Sequence, residues 1–333
     1  MKSDQDLMLA ALGIMLLLLI AGCVQEARQP VVKMVLGTQP TAHNSPVWIA
    51  ESKGYFQEEG LKVEIREFTS GQAALQNMLN TKGIDLATAA QTPVIYNSFR
   101  RNDYAIIGSL VYSDKDLNIL ARQDKGIKAA EDLKGKTIGI TTGTSSHFFL
   151  CLFLTNHQME LSDVKMVDLE PARLSEVLIQ GKVDAIVTWE PYIYQARKIL
   201  GDKALLFPNQ GLFREEVYFI ARKDYLKDQA EASKRFLRAI EKGEAFILKN
   251  RKEAKEIVSK RLKIEIGVVN ATWDDLIFRL YLDQSILVSL EDHARWAIIN
   301  RLTDKEKVPN YLDYIHTETL QAVKPGAVSI AGR

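Results

Sequence analysis

The stretch Gly181 to Ala196, GKVDAIVTWEPYIYQA, occurs twice in outline. Gly181 is a turn residue, and Val183 to Thr188 is a short, partly β-branched apolar run that reads as a buried strand. Pro191 then opens a helix carrying Tyr192, Ile193 and Ala196 on its apolar side, since proline suits a first helical position whose N–H would be unpaired anyway. Gly83 to Tyr96, GIDLATAAQTPVIY, repeats the order of glycine, aspartate, strand and proline-led helix, and its tail PVIY nearly matches PYIY. Two such units suggest two similar α/β lobes. Each would offer strand ends and helix N-termini to a ligand held between them. Proline-led βα units also occur in single α/β domains, so the repeat alone leaves both arrangements open.

Length and composition agree with two lobes. The chain has 333 residues, 47% apolar and 26% charged, enough for two ordinary cores. A net charge of +1 with no long run of one sign argues against a nucleic-acid partner. Leu7 to Gly22 is uncharged and too short to span a bilayer, which needs about 20 residues. It fits the apolar region of a signal peptide, residues 1–22. Ile20-Ala21-Gly22-Cys23 resembles the lipobox of prokaryotic lipoproteins, which implies cleavage before Cys23 and a lipid on its thiol. The alternative is an uncleaved N-terminal anchor. Both place the following residues outside the cytoplasmic membrane, with 23–30 as a tether. Cys151, in FFLCLFL, then has no partner for a disulfide and reads as a buried thiol.

In chain order, Val31 to Leu36 is the first strand, and a loop of turn formers from Gly37 to Ser45 leads to a helix starting at Pro46 with Ser45 as its cap. Leu61 to Phe68 alternates as a half-exposed strand, and Ser70 should cap the helix Gln72 to Lys82. Tyr104 to Val111 is a further strand, and Asp116 to Ala121 is the expected crossing to the second lobe. There, a short helix over Ala129 to Lys134 precedes the strand Thr137 to Ile140. Thr141 to His147 follows, a loop dense in hydroxyls that runs into an apolar helix and suits an anion or carboxylate. It lacks the Gly-Lys-Ser/Thr ending of a nucleotide-binding loop. Glu216 to Ala221 is the expected return crossing, and from Asp228 the chain is mostly helical. Ser289 to Asp292 resembles a capping box for a helix through Asn300. The lobes expected are 31–117 with 222–323, and 118–221, leaving 324–333 as a frayed end.

Four segments in order resemble one family: SPVWIAESKGYFQEEGLKVE, GQAALQNMLNTKGIDLATA, EDLKGKTIGITTGTSSHFFL and GKVDAIVTWEPYIYQA. They are similar to the solute-binding proteins of ABC importers for nitrate, taurine, aliphatic sulfonates and thiamine-pyrimidine precursors. The resemblance implies a two-lobe, type II periplasmic-binding-protein fold hinged on two crossing strands. It also implies a monomer that closes on a small organic anion or zwitterion and docks on a membrane permease. A thiamine-precursor aminopyrimidine is the alternative ligand, and a sensing module for a separate membrane signalling partner the alternative role. Some relatives of this fold are pyrimidine-precursor synthases with a cysteine-rich CCCFC stretch. That stretch is absent here, so no enzyme activity and no cofactor are expected.

The expected ligand-binding residues are Asn44, Ser45, Ser70, Gly71 and Thr92 from the first lobe, and Thr144, Ser145, Ser146, Trp189 and Glu190 from the second. Ser45, Ser70 and Thr92 suit helix capping as well as ligand contact, and Trp189 suits the core as well as stacking on a ligand. Glu190 would repel an anion. It therefore either caps the helix led by Pro191 or accepts N–H groups of an amine-bearing ligand. His43 and His147 read as loop residues, and no metal site is expected, because no further nitrogen or thiolate stands at ligand spacing.

Overall fold

The computed structural model describes residues 30–330. The leader, Cys23 and all but the last residue of the tether lie outside them. Four strands form first, β1 (Val32–Thr38), β2 (Leu61–Glu67), β3 (Leu86–Ala90) and β4 (Tyr104–Ser113). The chain then crosses to β5 (Asn118–Arg122), β6 (Thr137–Ile140), β7 (Lys165–Asp168), β8 (Ala185–Thr188) and β9 (Ala204–Pro208). It returns through β10 (Glu215–Arg222), and β11 (Ile277–Phe278) is a short edge strand.

The first sheet has the order β11-β4-β10-β3-β1-β2 and the second β7-β6-β8-β5-β9. In each, three parallel strands (β2-β1-β3 and β7-β6-β8) carry helices between them, as βαβ geometry requires. An antiparallel strand arriving from the other lobe lies next to them: β10 beside β3, and β5 beside β8. The repeated unit has one structural job in both lobes. The Asp85 carboxylate accepts the Val35 N–H at 2.8 Å, and the Asp184 carboxylate accepts the Thr137 N–H at 2.9 Å. Each aspartate thus ties the start of its strand to the neighbouring parallel strand, and this accounts for the Gly-Asp pattern.

The strand β10 corrects the expected boundary. Glu216 to Ala221 is not the return crossing but the interior of the first sheet, where Val217 to Ala221 pair with β3 and Glu215 to Arg222 with β4. The crossings are the segments 114–117 and 209–214. They are laced together: Asn209 donates its N–H to Asn118 Oδ1 at 3.2 Å, and the Asn209 side chain holds the backbone of Phe213 on both sides. The second lobe therefore ends near Pro208 rather than at residue 221.

Two other expectations change. The helix through Ile299 begins at Gln284, capped by Asp283, whose side chain accepts the Ser285 N–H at 3.0 Å. Ser289 lies within it because the apolar stripe already starts at Ile286 and Leu287. Residues 324–330 are not frayed. Leu282 exchanges hydrogen bonds with Ala327 and Ser329 at 2.8 and 2.9 Å, and Lys324 Nζ meets Glu244 at 2.8 Å. The expected helix over Ala129 to Lys134 is a 3-10 turn, Ala130–Leu133.

The second sheet buries both faces. Val187 faces a cluster with Ile119, Ile138 and Phe149, while Ile186 faces Leu174, Leu178 and Ile193, as strand alternation dictates. The first core gathers Leu36, Trp48, Leu75, Phe219 and Phe236. Cys151 is buried in the second lobe, and burial raises its thiol to about 12, so it is inert.

The helix Ser45–Lys53 is fixed by the long helix Ala230–Lys249, which crosses it at Gly243. A Cβ at Gly243 would stand 2.4 Å from the Pro46 carbonyl oxygen, which belongs to backbone and cannot swing aside. Gly243→Ala should therefore destabilise the chain by about 1–3 kcal/mol, despite alanine's better helix propensity. Urea unfolding checks this; an unchanged or raised midpoint would contradict it.

Candidate ligand cavity between the lobes

In both lobes the C-terminal ends of the parallel strands face the cleft, where ligands bind in open α/β sheets. The loop after β1 is held by its own side chains. Asn44 Nδ2 donates to Gln39 O at 2.8 Å, Ser45 Oγ to Ala42 O at 2.5 Å, and Trp48 Nε1 to Thr41 O at 2.8 Å. After β2, Ser70 caps the helix Gly71–Asn80 by accepting the Ala73 N–H at 3.1 Å. Glycine lets the helix start close against β3 at 71, where a Cβ would crowd the Ala89 Cα at 3.0 Å and the Thr88 carbonyl oxygen at 3.1 Å. From the other lobe come the loop after β6, leading into the helix Ser145–Asn156, and the loop after β8.

These loops enclose a cavity of about 50 Å³ between the lobes. Of the ten expected residues, Asn44, Ser70, Gly71, Thr144, Ser145 and Trp189 line it. Ser45, Thr92, Ser146 and Glu190 do not. Ser45 turns to the Ala42 carbonyl and lies inside the helix rather than capping it. Thr92 is likewise inside its helix, Gln91–Ser98, fully buried, with its hydroxyl 3.5 Å from His293 Nε2. Ser146 is fully buried one residue past the cavity wall.

Trp189 is both core and wall. It is 5% exposed and packs in the second lobe's cluster, yet its indole N–H has no partner. The Gln39 side-chain NH₂, on the facing lobe, is also buried and unpaired, as is the Asn44 side-chain oxygen. Buried polar groups are normally paired, so these three mark the wall as built for a guest with both acceptors and donors. The helices opening at Gly71 and Ser145 add two positive dipole ends.

Gln39, Gln72, His43 and Glu215 are among the wall residues not anticipated as ligand contacts. Gln72 bridges the lobes, lying so close to Gly143 that a Cβ there would collide with its amide; Gly143 also has φ +75°, where glycine is favoured. Glu215 starts β10 and reaches the cleft because that strand runs antiparallel to β3. It is buried, which raises its pKa, partly offset by His43. Gln91 braces the same strand, donating to Arg214 O and accepting the Glu216 N–H, each at 2.8 Å. Among the described residues no lysine or arginine lines the cavity. A second contact between lobes closes over Phe148, whose ring centroid lies 3.2 Å from that of His293, tilted by 31°, and 4.8 Å from that of Trp296, edge-on. Burial holds His293 well below the usual imidazole range, so it packs there as a neutral ring.

Glu190 turns away from the cavity. Its Oε2 accepts the Tyr194 N–H at 2.9 Å and so caps the helix Tyr192–Leu200. It lines a separate cavity of about 40 Å³ with His43 and Asp116. Burial, reinforced by Asp116, raises its pKa from 4.5 to about 8. The folded chain therefore binds this proton more tightly than the unfolded one. The associated stability is full below about pH 4.5 and is lost as pH rises through about 8. Glu190→Gln keeps an acceptor for Tyr194 and removes this titration. The variant's melting temperature should gain on the parent's across that window in paired thermal melts; a pH-independent gap would contradict the assignment.

Comparison with known proteins agrees with this architecture. The family described as NMT1/THI5 like matches residues 41–254. A Brucella abortus (strain 2308) protein, provisionally named a binding protein, is 29% identical over 220 residues, 65% of this chain and 67% of its own. A Bacillus subtilis (strain 168) protein, provisionally named for binding aliphatic sulfonates, is 27% identical over 259 residues, 75% of this chain and 77% of its own. Among solved structures, the alkanesulfonate-binding protein SsuA of Xanthomonas axonopodis pv. citri, bound to MOPS, superposes with a TM-score of 0.75 at 21% identity. The superposition covers 84% of this chain and 97% of that one. The shared architecture is the two-lobe periplasmic-binding-protein fold, and the chain belongs to the NMT1/THI5-like family.

Proposed function

We propose that this chain is an extracytoplasmic solute-binding protein, anchored by a lipid on Cys23, that acts as a monomer. It captures a small organic anion or zwitterion between its lobes and delivers it to an ABC import permease. The observation that carries this reading is the pair of buried, unpaired donors on opposite lobes, Gln39 Nε2 and Trp189 Nε1, at one small cavity. A ligand oxygen held by both would stabilise the closed form, since only contacts made to both lobes can drive closure. The names of the relatives, which refer to binding proteins and to alkyl sulfonates, support the same class. Among the described residues no helix is long and apolar enough to cross a membrane, so the attachment proposed rests on the segment before residue 30.

Glu215 favours a second reading of the ligand. A carboxylate in a wall without lysine or arginine suits N–H donors. That would select an amino-sulfonate over nitrate, or an aminopyrimidine stacked on Trp189.

A thermal-shift screen of the full chain in mild detergent tests the class. The panel holds taurine, alkylsulfonates, nitrate, bicarbonate, aminopyrimidines and aromatic carboxylates. A true ligand at 100 times its Kd should add about 2.7 kcal/mol to stability. A sulfonate or amino-sulfonate is the expected hit, and silence across the panel would count against the reading. Trp189→Phe removes the donor, so it should weaken that hit about tenfold, the worth of one charge-assisted hydrogen bond. The smaller ring also leaves a void in the second core, so the apo melting temperature falls and binding is compared well below it. Cys23→Ser should move the chain from the membrane fraction to the soluble or precursor pool. Unchanged fractionation would contradict the lipid anchor.

A further inference from the structure

The fold assembles a cluster that no sequence spacing announces. His43 lies in the loop after β1, Asp116 in the first crossing, and Glu215 at the start of β10 just after the return crossing. All three are buried, and His43 Nε2, an Asp116 oxygen and a Glu215 oxygen lie within 4.8 Å of one another. We propose that these three side chains form a divalent-metal site at the floor of the cleft, where the first lobe meets both crossings.

Geometry supports a cation between them rather than a simple ion pair. His43 Nε2 is 3.0 Å from Asp116 Oδ2 and 3.9 Å from Glu215 Oε2. Despite that approach, neither Nε2 nor Asp116 Oδ2 makes a hydrogen bond of acceptable angle. The groups converge on the space they share instead of lying along one N–H···O line. His43 Nδ1 is 3.2 Å from Thr41 Oγ1. A proton on Nδ1 donated to Thr41 leaves the Nε2 lone pair facing the carboxylates, the arrangement typical of a metal-bound imidazole with an outer hydrogen bond.

Charge points the same way. Asp116 and Glu215 share one imidazole, and a third carboxyl group, Glu190, lies in the adjoining cavity with His43 and Asp116. Even a protonated His43 balances only one carboxylate, and neither adjoining cavity has a lysine or arginine in its wall. Buried carboxylates left unbalanced must take up protons or a cation. One nitrogen and two carboxylates, without a thiolate, suit Zn²⁺, Mn²⁺ or Co²⁺ rather than Cu⁺. Such an ion would tie the β1 loop to both crossings. Because Glu215 and His43 also line the ligand cavity, the ion would add positive charge to a wall that has no lysine or arginine among the described residues.

The test uses the untagged full chain in mild detergent, stripped with a chelator and titrated calorimetrically with ZnCl₂, MnCl₂ or CoCl₂. The proposal expects one ion per chain for at least one metal, with Asp116→Asn and Glu215→Gln each weakening it about tenfold or more. Failure of the parent chain to bind any of the three saturably overturns the proposal. So does one-equivalent binding that both variants retain. Should a variant not fold, X-ray absorption of the Co²⁺-loaded parent decides: one imidazole with oxygen neighbours supports the site, and sulfur or several imidazoles overturns it.

Discussion

Each lobe completes its sheet with a strand that belongs, by connectivity, to the other side of the hinge. The strand β10 leaves the second lobe and inserts between β3 and β4, and β5 leaves the first lobe and inserts between β8 and β9. Because these strands pair on both edges, the crossings are anchored in the middle of each sheet rather than at its rim. Their short connecting segments are then braced by Asn118, Asn209 and Gln91. The hinge is thus a pair of stiff leads joined by a few residues. Such leads confine lobe motion to opening and closing.

The same insertion sets the chemistry of the cleft. A parallel strand delivers its following loop to the cleft, whereas an antiparallel strand delivers the residues before it. The strand β10 therefore brings Glu215 to the wall that β1, β2, β3, β6 and β8 supply with hydroxyls, amides and helix N-termini. The result is a small cavity with donors on two lobes, one acidic wall residue beside one imidazole and, among the described residues, no lysine or arginine. Its electrostatics come from helix dipoles, one carboxylate and the His43 imidazole rather than from a lysine or arginine, which favours a ligand with both oxygens and N–H groups or a metal-bridged anion.

Much of this was legible in the sequence because it is local. The Gly-Asp-strand-Pro units located β3 and β8, and the tie from each aspartate to its neighbouring strand shows why the pattern recurs. Ser70 as a cap followed from its neighbours, as did the placement of Trp189 at a strand end. What escaped was set by long-range pairing. The run Glu216 to Ala221 has the pattern of any buried strand, and nothing local says which sheet it joins. Glu215 was missed for that reason, and Asp116 and His43 with it, since their meeting depends on the same register. Ser45 and Thr92 looked like caps because each precedes a proline. Both helices in fact begin before that position, so these hydroxyls are spent inside. The Glu190 alternative resolved toward capping only once the Tyr194 N–H was seen within reach.

The central claim is that one solute is gripped by both lobes at once. Hydrogen–deuterium exchange of the full chain, with and without a saturating ligand, tests it most directly. Closure on a shared ligand predicts added protection together in residues 39–45 and 70–73 of the first lobe and in 144–146 and 189–190 of the second. Protection confined to the loops of one lobe, at ligand saturation, would contradict the account.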